Sequence, residues 1–305
     1  MSNPSSPGAE TEPSPTPRTI TVVVTTYNQP EWLELVLLGY SAQTFPEFQL
    51  VVADDGSGPE TARVVRRFQT RVGTDLLHVR HDDLGFRKTV ILNRAIRAAR
   101  GEYLIFTDGD CIPRRDFVAV HRRLAEVGRF LSGMAIRLSA EASGQIRGDD
   151  VTSGRAFRLR WLRSRGARPG RRALKLLPVP GLGMLLDLTS GVTPRFDGGN
   201  ASAWRRDLER ANGFDNRMGY GLEDQSLGWR LTNMGVRAKQ VRNRAICLHL
   251  HHDRPYRDPE AMRRHAEVRD RILRDGLVRA PSGLQELDQI SEAGESDGAG
   301  SPSVG

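Results

Sequence analysis

Apolar stretches rich in β-branched residues alternate with helix-like segments along the first third of the chain. The four stretches are "TITVVVTTYN" (19–28), "FQLVVADDGS" (48–57), "DLLHVRHDD" (75–83) and "EYLIFTDGD" (102–110). The segments between them place apolar residues at helical spacing, and two of them begin with proline. Repeats of strand and helix with this spacing form parallel sheets with right-handed crossovers. The sequence therefore predicts an α/β fold with a mostly parallel central sheet flanked by helices.

The pattern predicts one domain, at 19–278, between two tails. Residues 1–18 include five prolines, and 279–305 is rich in glycine, serine and acidic residues, so both are predicted to be disordered. A basic insertion at 155–187 interrupts the alternation and has nine Lys or Arg residues within 155–175. Phe157 and Trp161 lie among them, and this mixture predicts a peripheral contact with an anionic membrane. A solvated basic segment that covers the active site is the alternative.

Composition limits the kinds of partner. The net charge of +8 suits nucleic acid, anionic lipid or phosphate-bearing substrates. A nucleic-acid module would not need the acidic clusters described next, so no nucleic acid is expected. Cys111 and Cys247 provide no disulfide framework, and no apolar run approaches the ~20 residues of a membrane span. The N-terminus has no apolar signal segment, so a cytoplasmic location is expected.

Acidic residues follow three of the predicted strands, as Asp54–Asp55, Asp82–Asp83 and Asp108 with Asp110. Ligands of such sheets bind outside the carboxyl ends of the strands. Two carboxylates separated by one glycine can bind a hard cation such as Mg²⁺ or Mn²⁺. The same spacing also occurs at ordinary polar strand ends. The location of Asp108 and Asp110 directly after a predicted parallel strand therefore favours a metal site more than their spacing does.

Two further groups of residues lie downstream. The motif "HLHH" (249–252) ends a predicted strand that spans 237–252, so His249 and His251 should share a face, and one histidine of the motif could bind the same metal. A solvated histidine cluster is the alternative. Glu223–Asp224 begins a predicted helix, where acids interact favourably with the helix dipole or supply a general base.

In this order, the motifs resemble family 2 glycosyltransferases of the GT-A fold with a galactosyltransferase-type C-terminal region, as in β-1,4-galactosyltransferases and chondroitin polymerases. The similar stretches within 19–256 are "VVVTTYNQPEWLELVLLGYSAQTF", "LVVADDGSG", "GFRKTVILNRAI", "FTDGD", "FDGGNASA" and "NGFDNRMGYGLEDQSLGWRLTNMG".

The resemblance implies a role for each matching residue. The donor nucleotide and its sugar would be bound by Thr25, Tyr27, Asp54, Asp55, Phe86, Lys88, Asp108 and Gly199. The metal would be bound by Asp108, Asp110 and either His249 or His252. Glu223 would hold a sugar hydroxyl, Asp224 would be the base, and Tyr220 would stack on the acceptor. Leu222 replaces the glycine of the similar motif, in the region that selects the sugar.

The activity that the resemblance implies is a metal-dependent, inverting transfer. A hexose or N-acetylhexosamine would move from a UDP-sugar to a hydroxyl of a saccharide or lipid-linked acceptor, in cell-surface polysaccharide or glycolipid synthesis. Two alternatives are a non-catalytic module that binds nucleotide-sugars and a sugar nucleotidyltransferase. The second lacks the expected Gly-rich, Lys-bearing loop near Thr25.

Overall fold

The first half of the fold follows the predicted alternation. The computed structural model describes residues 16–70, 75–166, 170–252 and 259–290. Its first seven elements are β1 (Ile20–Thr26), α1 (Pro30–Ser41), β2 (Gln49–Asp54), α2 (Pro59–Gln69), β3 (Asp75–Arg80), α3 (Lys88–Ala98) and β4 (Tyr103–Asp108).

The second half is less regular. It comprises β5 (Cys111–Pro113), α4 (Phe117–Leu124), β6 (Arg129–Ser132), β7 (Met134–Arg137), α5 (Ala140–Gln145), α6 (Gly148–Thr152), α7 (Leu159–Ser164), α8 (Leu182–Leu188), β8 (Ala201–Trp204), α9 (Arg205–Arg210), α10 (Glu223–Asn233), β9 (Arg237–Gln240), β10 (Ile246–His249) and α11 (Pro259–Arg274). Three 3₁₀ turns lie at Arg155–Phe157, Gly170–Leu176 and Leu287–Gln289. The strand predicted at 237–252 is two strands, because the chain turns at 241–245.

The main sheet has seven strands in the order β3-β2-β1-β4-β8-β6-β9. The first four are parallel, whereas β8 runs antiparallel to both β4 and β6, so the predicted mostly parallel sheet is confirmed. A second sheet, β5-β10-β7, places β10 beside the turn that follows β4. In the main sheet Thr25 pairs with Asp108, and Thr26 pairs with Asp54. The register therefore brings the polar ends of β1, β2 and β4 to one edge.

The core lies on both faces of the main sheet, as expected for strands covered by helices on each side. Val22 and Val24 of β1 pack in one cluster with Leu33 of α1, while Val23 faces the other cluster with Ile91 of α3. All five side chains are fully buried. Burying each such side chain contributes roughly 1.5–3 kcal/mol, so the sheet edge that carries the acids rests on a rigid base.

The structure corrects the membrane prediction for 155–175. Phe157, Trp161 and Leu162 are buried in the core, and the exposed side chains around them are arginines such as Arg158 and Arg160. The aromatic side chains and Leu162 of the predicted contact therefore face the protein interior, whereas Leu174 near its end is exposed. Along the described part of the chain, no helix is long and apolar enough to cross a bilayer.

The predicted C-terminal tail is wrong at its start, because residues 279–290 are packed against the domain. The Ala280 N–H donates to the Ala211 carbonyl at 3.0 Å, and Leu287 is buried. At the other end, Arg122 Nε donates to the Pro17 carbonyl at 3.2 Å, so residues 16–18 also contact the domain. The remainder of both predicted tails, 1–15 and 291–305, lies outside the described residues.

Candidate active site

A cleft of about 1230 Å³ lies at the carboxyl ends of β1, β2 and β4. Thirteen of the 14 residues singled out from the sequence line it, namely Thr25, Tyr27, Asp55, Phe86, Lys88, Asp108, Asp110, Gly199, Tyr220, Glu223, Asp224, His249 and His252. The predicted sheet edge thus gathers residues that are up to 227 positions apart in the chain.

Asp54 is the one predicted site residue that does not line this cleft. Asp54 is fully buried beneath the cleft, where its carboxylate accepts hydrogen bonds from the Ser57 N–H at 2.8 Å and from His78 Nε2 at 2.9 Å. Burial alone would raise the pKa of Asp54, but these two partners outweigh it and lower the pKa. Asp54 therefore closes the turn after β2 and does not face a ligand.

Asp55 is the carboxylate of that pair that faces the cleft. His81 Nε2 lies 2.7 Å from its Oδ1, and the Arg87 N–H donates to its Oδ2 at 3.1 Å. Tyr27 and Phe86 are more than a third exposed at the same end of the cleft. A fixed carboxylate beside two exposed aromatic rings can recognise a planar base and its ribose.

The turn after β4 brings together the residues predicted to bind a metal. Asp110 Oδ2 lies 3.1 Å from His252 Nε2 and 3.6 Å from His249 Nε2, and the two imidazole rings stack with centroids 5.2 Å apart. Ligand atoms of Asp110, Cys111 and His249 all lie within 4.8 Å of one another. Burial would raise the pKa of Asp110, but the hydrogen bond from His252 and the charge of His249 hold it below its usual value.

The donor atoms of this group fit a divalent cation. The Nδ1 atom of His249 lies 2.6 Å from the Leu250 carbonyl, which can only accept, so Nδ1 carries the hydrogen and Nε2 is left to bind a metal. The carboxylate of this group suits Mn²⁺ or Mg²⁺, and its imidazole nitrogens suit Zn²⁺ and other transition metals. Cys111, which was not among the residues predicted to bind the metal, also belongs to this group.

Asp108 is held by Thr25 and Lys88. Its Oδ1 accepts hydrogen bonds from Thr25 Oγ1 at 2.7 Å and from Lys88 Nζ at 3.2 Å. The intervening Gly109 packs against β1, where an added Cβ would lie 2.8 Å from the Thr25 carbonyl oxygen. Only glycine fits there, so the turn holds Asp108 and Asp110 in fixed, different directions.

Glu223 and Asp224 begin α10 on the far wall of the cleft. Glu223 Oε2 accepts a hydrogen bond from the Gly221 N–H at 2.7 Å, and Asp224 Oδ2 accepts one from the Gly198 N–H at 3.0 Å. A Cβ added to Gly198 would lie 2.6 Å from that same oxygen. Gly198 thus positions Asp224, although the sequence singled out only its neighbour Gly199, and the Gly-Gly pair was the signal for both.

Lys88 links the two walls. Its Nζ lies 3.8 Å from Glu223 Oε1 and 3.7 Å from Asp224 Oδ2, in addition to its contact with Asp108. Burial would lower the pKa of Lys88, but the three carboxylates outweigh burial and raise the pKa well above its usual value. Lys88 is therefore a fixed cation at the centre of the cleft.

Asp224 is an unusually basic carboxylate. Burial raises its pKa to about 7; Lys88 opposes this effect, while Glu223, Asp108 and Asp197 add to it. Among the described residues, no group donates a hydrogen bond to its other oxygen, Oδ1, which is buried. A carboxylate with a pKa near neutrality is suited to accept a proton during a reaction.

Tyr220 lines the cleft beside Phe86 and the carboxylates of α10. Its ring packs edge-on against Phe86, with centroids 5.8 Å apart. The aromatic pair could contact a donor on one side and a second sugar ring on the other. All of the predicted site residues except Asp54 therefore face one space, with the histidine pair and Asp224 on different walls.

Two family models match this chain. The model described as "Glycosyl transferase family 2" matches residues 21–169, and the one described as "N-terminal domain of galactosyltransferase" matches residues 191–253. The first covers the strands whose ends carry Asp55, Asp108 and Asp110, and the second covers the Gly-Gly loop, Glu223, Asp224 and the histidines. Their order confirms the predicted resemblance.

Relatives and solved structures agree with these matches. A chondroitin synthase from Escherichia coli is 29% identical over 109 residues, which are 35% of this chain and 16% of that protein, so the chain corresponds to a small part of it. The mannosyltransferase PcManGT from Pyrobaculum calidifontis, in complex with GDP-Man and Mn²⁺, has a TM-score of 0.53 at 22% identity and covers 92% of this chain and 76% of its own. Residues 1–349 of S. aureus TarS in complex with UDP give a TM-score of 0.53 at 18% identity, with coverages of 89% and 69%. The two structures share the fold of this chain.

Proposed function

The chain belongs to the family 2 glycosyltransferases of the GT-A fold, and from this premise we propose that it is a metal-dependent, inverting transferase. Its donor is a UDP-sugar that carries a hexose or N-acetylhexosamine. Its acceptor is a hydroxyl group of a saccharide or of a lipid-linked sugar, in the synthesis of a cell-surface polysaccharide or glycolipid. The main observation behind this proposal is that Asp110 and two histidines able to bind a metal share one cleft with Asp224, a carboxylate of raised pKa on another wall.

The base and ribose of the donor bind at the end of the cleft that contains Asp55, Tyr27 and Phe86. His81 and the Arg87 N–H hold the Asp55 carboxylate, so it accepts hydrogen bonds from the nucleotide without having to be reoriented. The exposed rings of Tyr27 and Phe86 cover the faces of the base. Known proteins of this fold support a nucleotide-sugar donor, since TarS binds UDP and PcManGT binds GDP-Man.

The diphosphate lies over the turn that contains Asp108 and Asp110. Asp110, His249 and His252 would hold a divalent cation there, with Asp108 as a further oxygen donor. Such a cation neutralises the charge that develops on the departing diphosphate. Lys88, 3.2 Å from Asp108, adds a fixed positive charge on the side that faces the donor sugar.

Transfer takes place on the wall formed by α10. Asp224 accepts the proton of the acceptor hydroxyl, whose oxygen attacks the anomeric carbon of the donor from the face opposite the diphosphate. The bond between the anomeric carbon and the diphosphate oxygen breaks, and UDP leaves with the bonding electrons. Glu223 holds a sugar hydroxyl and Tyr220 packs against the acceptor ring. No covalent intermediate is needed, and the product has the inverted configuration.

A UDP-release screen tests this function. The full chain is incubated with UDP-glucose, UDP-galactose and their N-acetylhexosamine counterparts, each with Mn²⁺ and each with EDTA, and with GDP-mannose as the competing donor. We expect release of UDP from at least one UDP-sugar with Mn²⁺ and its loss with EDTA. Equal release with EDTA would rule out the metal role, and turnover of GDP-mannose alone would rule out the UDP donor.

Two variants test the metal-binding wall and the wall with the base separately in the same screen. Asp110→Asn should lower the apparent affinity for Mn²⁺, whereas Asp224→Asn should bind Mn²⁺ and UDP as the wild type does and lose turnover. If the wild type binds a UDP-sugar tightly but releases no UDP with any acceptor tested, the chain is a binding module and the proposed activity is wrong.

A further inference from the structure

An ordered segment beside the cleft exposes an unusual number of large apolar side chains. Thirteen such side chains are exposed in the described part of the chain, and seven of them lie within 174–192. These are Leu174, Leu177, Val179, Met184, Leu185, Leu188 and Val192, with exposed fractions of 38% to 77%. We call this set the apolar ridge. Exposed apolar groups concentrated in this way mark sites of interaction with a protein or a membrane.

Hydrogen bonds and an ion pair attach the segment that carries the ridge to the rest of the domain. In α8 (Leu182–Leu188) the buried side chain is Asp187, which accepts from the Asn243 N–H at 2.9 Å and pairs with Arg244 Nε at 2.7 Å. Lys175 Nζ donates to the Arg242 carbonyl at 2.8 Å. The helix therefore buries its acid and exposes Leu185 and Leu188, which is the reverse of the usual arrangement for a surface helix.

The ridge leads directly into the acceptor side of the cleft. Val192, at its C-terminal end, lines the cleft with Arg195, and its carbonyl accepts from Gln240 Nε2 at 3.2 Å. The chain then continues into the loop whose Gly198 N–H contacts Asp224. A surface bound by the ridge would thus lie at the entrance used by the acceptor.

The charge near the ridge favours an anionic surface over a second copy of the chain. Arg137 and Arg195 are exposed on the cleft wall, and neither forms an ion pair with another described residue. The chain as a whole has a net charge of +8. Two copies joined at this face would bring like charges together, whereas anionic headgroups would pair with the arginines while the apolar side chains enter the lipid interface.

We propose that the apolar ridge inserts into the interface of an anionic bilayer and brings the cleft to acceptors held at the membrane surface. The part that concerns the acceptor rests on the proposed transferase function, whereas the membrane contact itself does not. The proposal also replaces the contact predicted at 155–175, whose aromatic side chains are buried.

Vesicle sedimentation tests the membrane contact. The full chain is mixed with vesicles of phosphatidylcholine alone or of phosphatidylcholine with phosphatidylglycerol, and bound protein is measured in the pellet. We expect binding to the anionic vesicles only. The double variant Leu185→Gln with Leu188→Gln should bind them at least about tenfold more weakly, because two side chains that would enter the lipid are lost. Glutamine keeps the helix propensity of the segment.

Leu273→Gln is the matched control. Leu273 is 52% exposed, close to the 56% of Leu185, and it also lies in a helix. Its neighbour Ile272 contacts Asn233, at the end of α10 remote from the cleft. This variant should bind vesicles as the wild type does. Near-UV circular dichroism and the melting temperature of both variants are compared with the wild type to establish that each is folded.

Three results would overturn the membrane contact: absence of wild-type binding to anionic vesicles, unchanged binding of the folded double variant, or an equal loss in Leu273→Gln. A wild-type dimer in sedimentation velocity that the double variant abolishes would assign the ridge to a second copy and would also overturn it. UDP release in the absence of vesicles is measured separately. If no donor is turned over but vesicle binding follows the expected pattern, the transferase function fails while the membrane contact stands.

Discussion

Replacing Lys88 by methionine should move the acid limb of the pH–rate profile to higher pH. Asp224 has a pKa of about 7, and the nearby charge of Lys88 keeps it from being higher still. As a base, Asp224 must be deprotonated, so activity should fall as the pH drops through this value. One pH unit below the pKa, about a tenth of the enzyme retains the active form.

The size of the shift follows from the geometry. Lys88 Nζ lies 3.7 Å from Asp224 Oδ2. Coulomb's law at an effective dielectric constant of about 20 gives about 4.5 kcal/mol for two unit charges at that distance, equivalent to about 3 pH units. Asp108 and Glu223 share the same cation, and the Asp224 side chain is 18% exposed, so both effects reduce the shift. We expect the limb to move up by between about one and three units.

The assay is kcat/KM for the UDP-sugar between pH 5.5 and 9.5, because this parameter reports the free enzyme. Wild type and variant are measured at one Mn²⁺ concentration, so the difference between their limbs reports Lys88. Lys88→Arg retains the cation and should keep the wild-type limb. A lower rate in Lys88→Met with the limb at the wild-type pH would mean that Lys88 only binds the donor, and would refute this account of Asp224.

Four further substitutions test other parts of the site. His249→Ala and His252→Ala should each weaken Mn²⁺ binding by at least about tenfold in isothermal titration calorimetry. The loss should be greater for His249, because its tautomer is fixed. Unchanged affinity in either variant would remove that residue from the metal site. Gly198→Ala should lower kcat by about 100-fold at unchanged UDP affinity, because a Cβ there displaces Asp224; an unchanged kcat would show that the base lies elsewhere. Asp224→Asn should be more stable than the wild type by about 2–4 kcal/mol above pH 7. The raised pKa of Asp224 stabilises the wild type below about pH 4, and this stability is lost as the pH rises through about 7. The difference in free energy of unfolding between the variant and the wild type should therefore grow between these two pH values. A difference that does not depend on pH would contradict the pKa assigned to Asp224.

The sequence was sufficient to predict the sheet edge, because the order of strands and helices determines where strand ends meet. It could not separate Asp54 from Asp55. Neighbouring residues at a strand end point to opposite sides, and the side that faces the cleft depends on where β3 places His78 and His81. The pairing of these histidines with the two acids is a tertiary contact without a local signal.

The histidine motif shows a second limit of the sequence. Strand alternation predicted that His249 and His251 share a face, but the strand ends at His249, and it is His252 that stacks on His249. Alternation applies only while the strand continues. The sequence placed the motif at the end of a strand, but the path of the chain that brings His252 onto His249 could be seen only in the folded chain.

The basic insertion shows why an apolar sequence pattern does not reveal whether its side chains are buried or exposed. Phe157 and Trp161 lie in a segment rich in arginine and are buried, whereas Leu185 and Leu188 lie in a strongly apolar segment and are exposed. Periodicity indicates which residues share a face of a helix, but the packing of neighbouring elements decides whether that face is covered.

The most direct test of the central claim is single-turnover transfer by Asp224→Asn, measured beside its affinity for UDP with Mn²⁺. The claim is that Asp224 is the base of a nucleotide-sugar transferase whose donor binds on the opposite wall. The account predicts UDP affinity within about twofold of the wild type and a rate of transfer lower by at least about 1,000-fold, the scale expected for loss of a general base. Transfer at a rate close to that of the wild type, with UDP still bound, would contradict it.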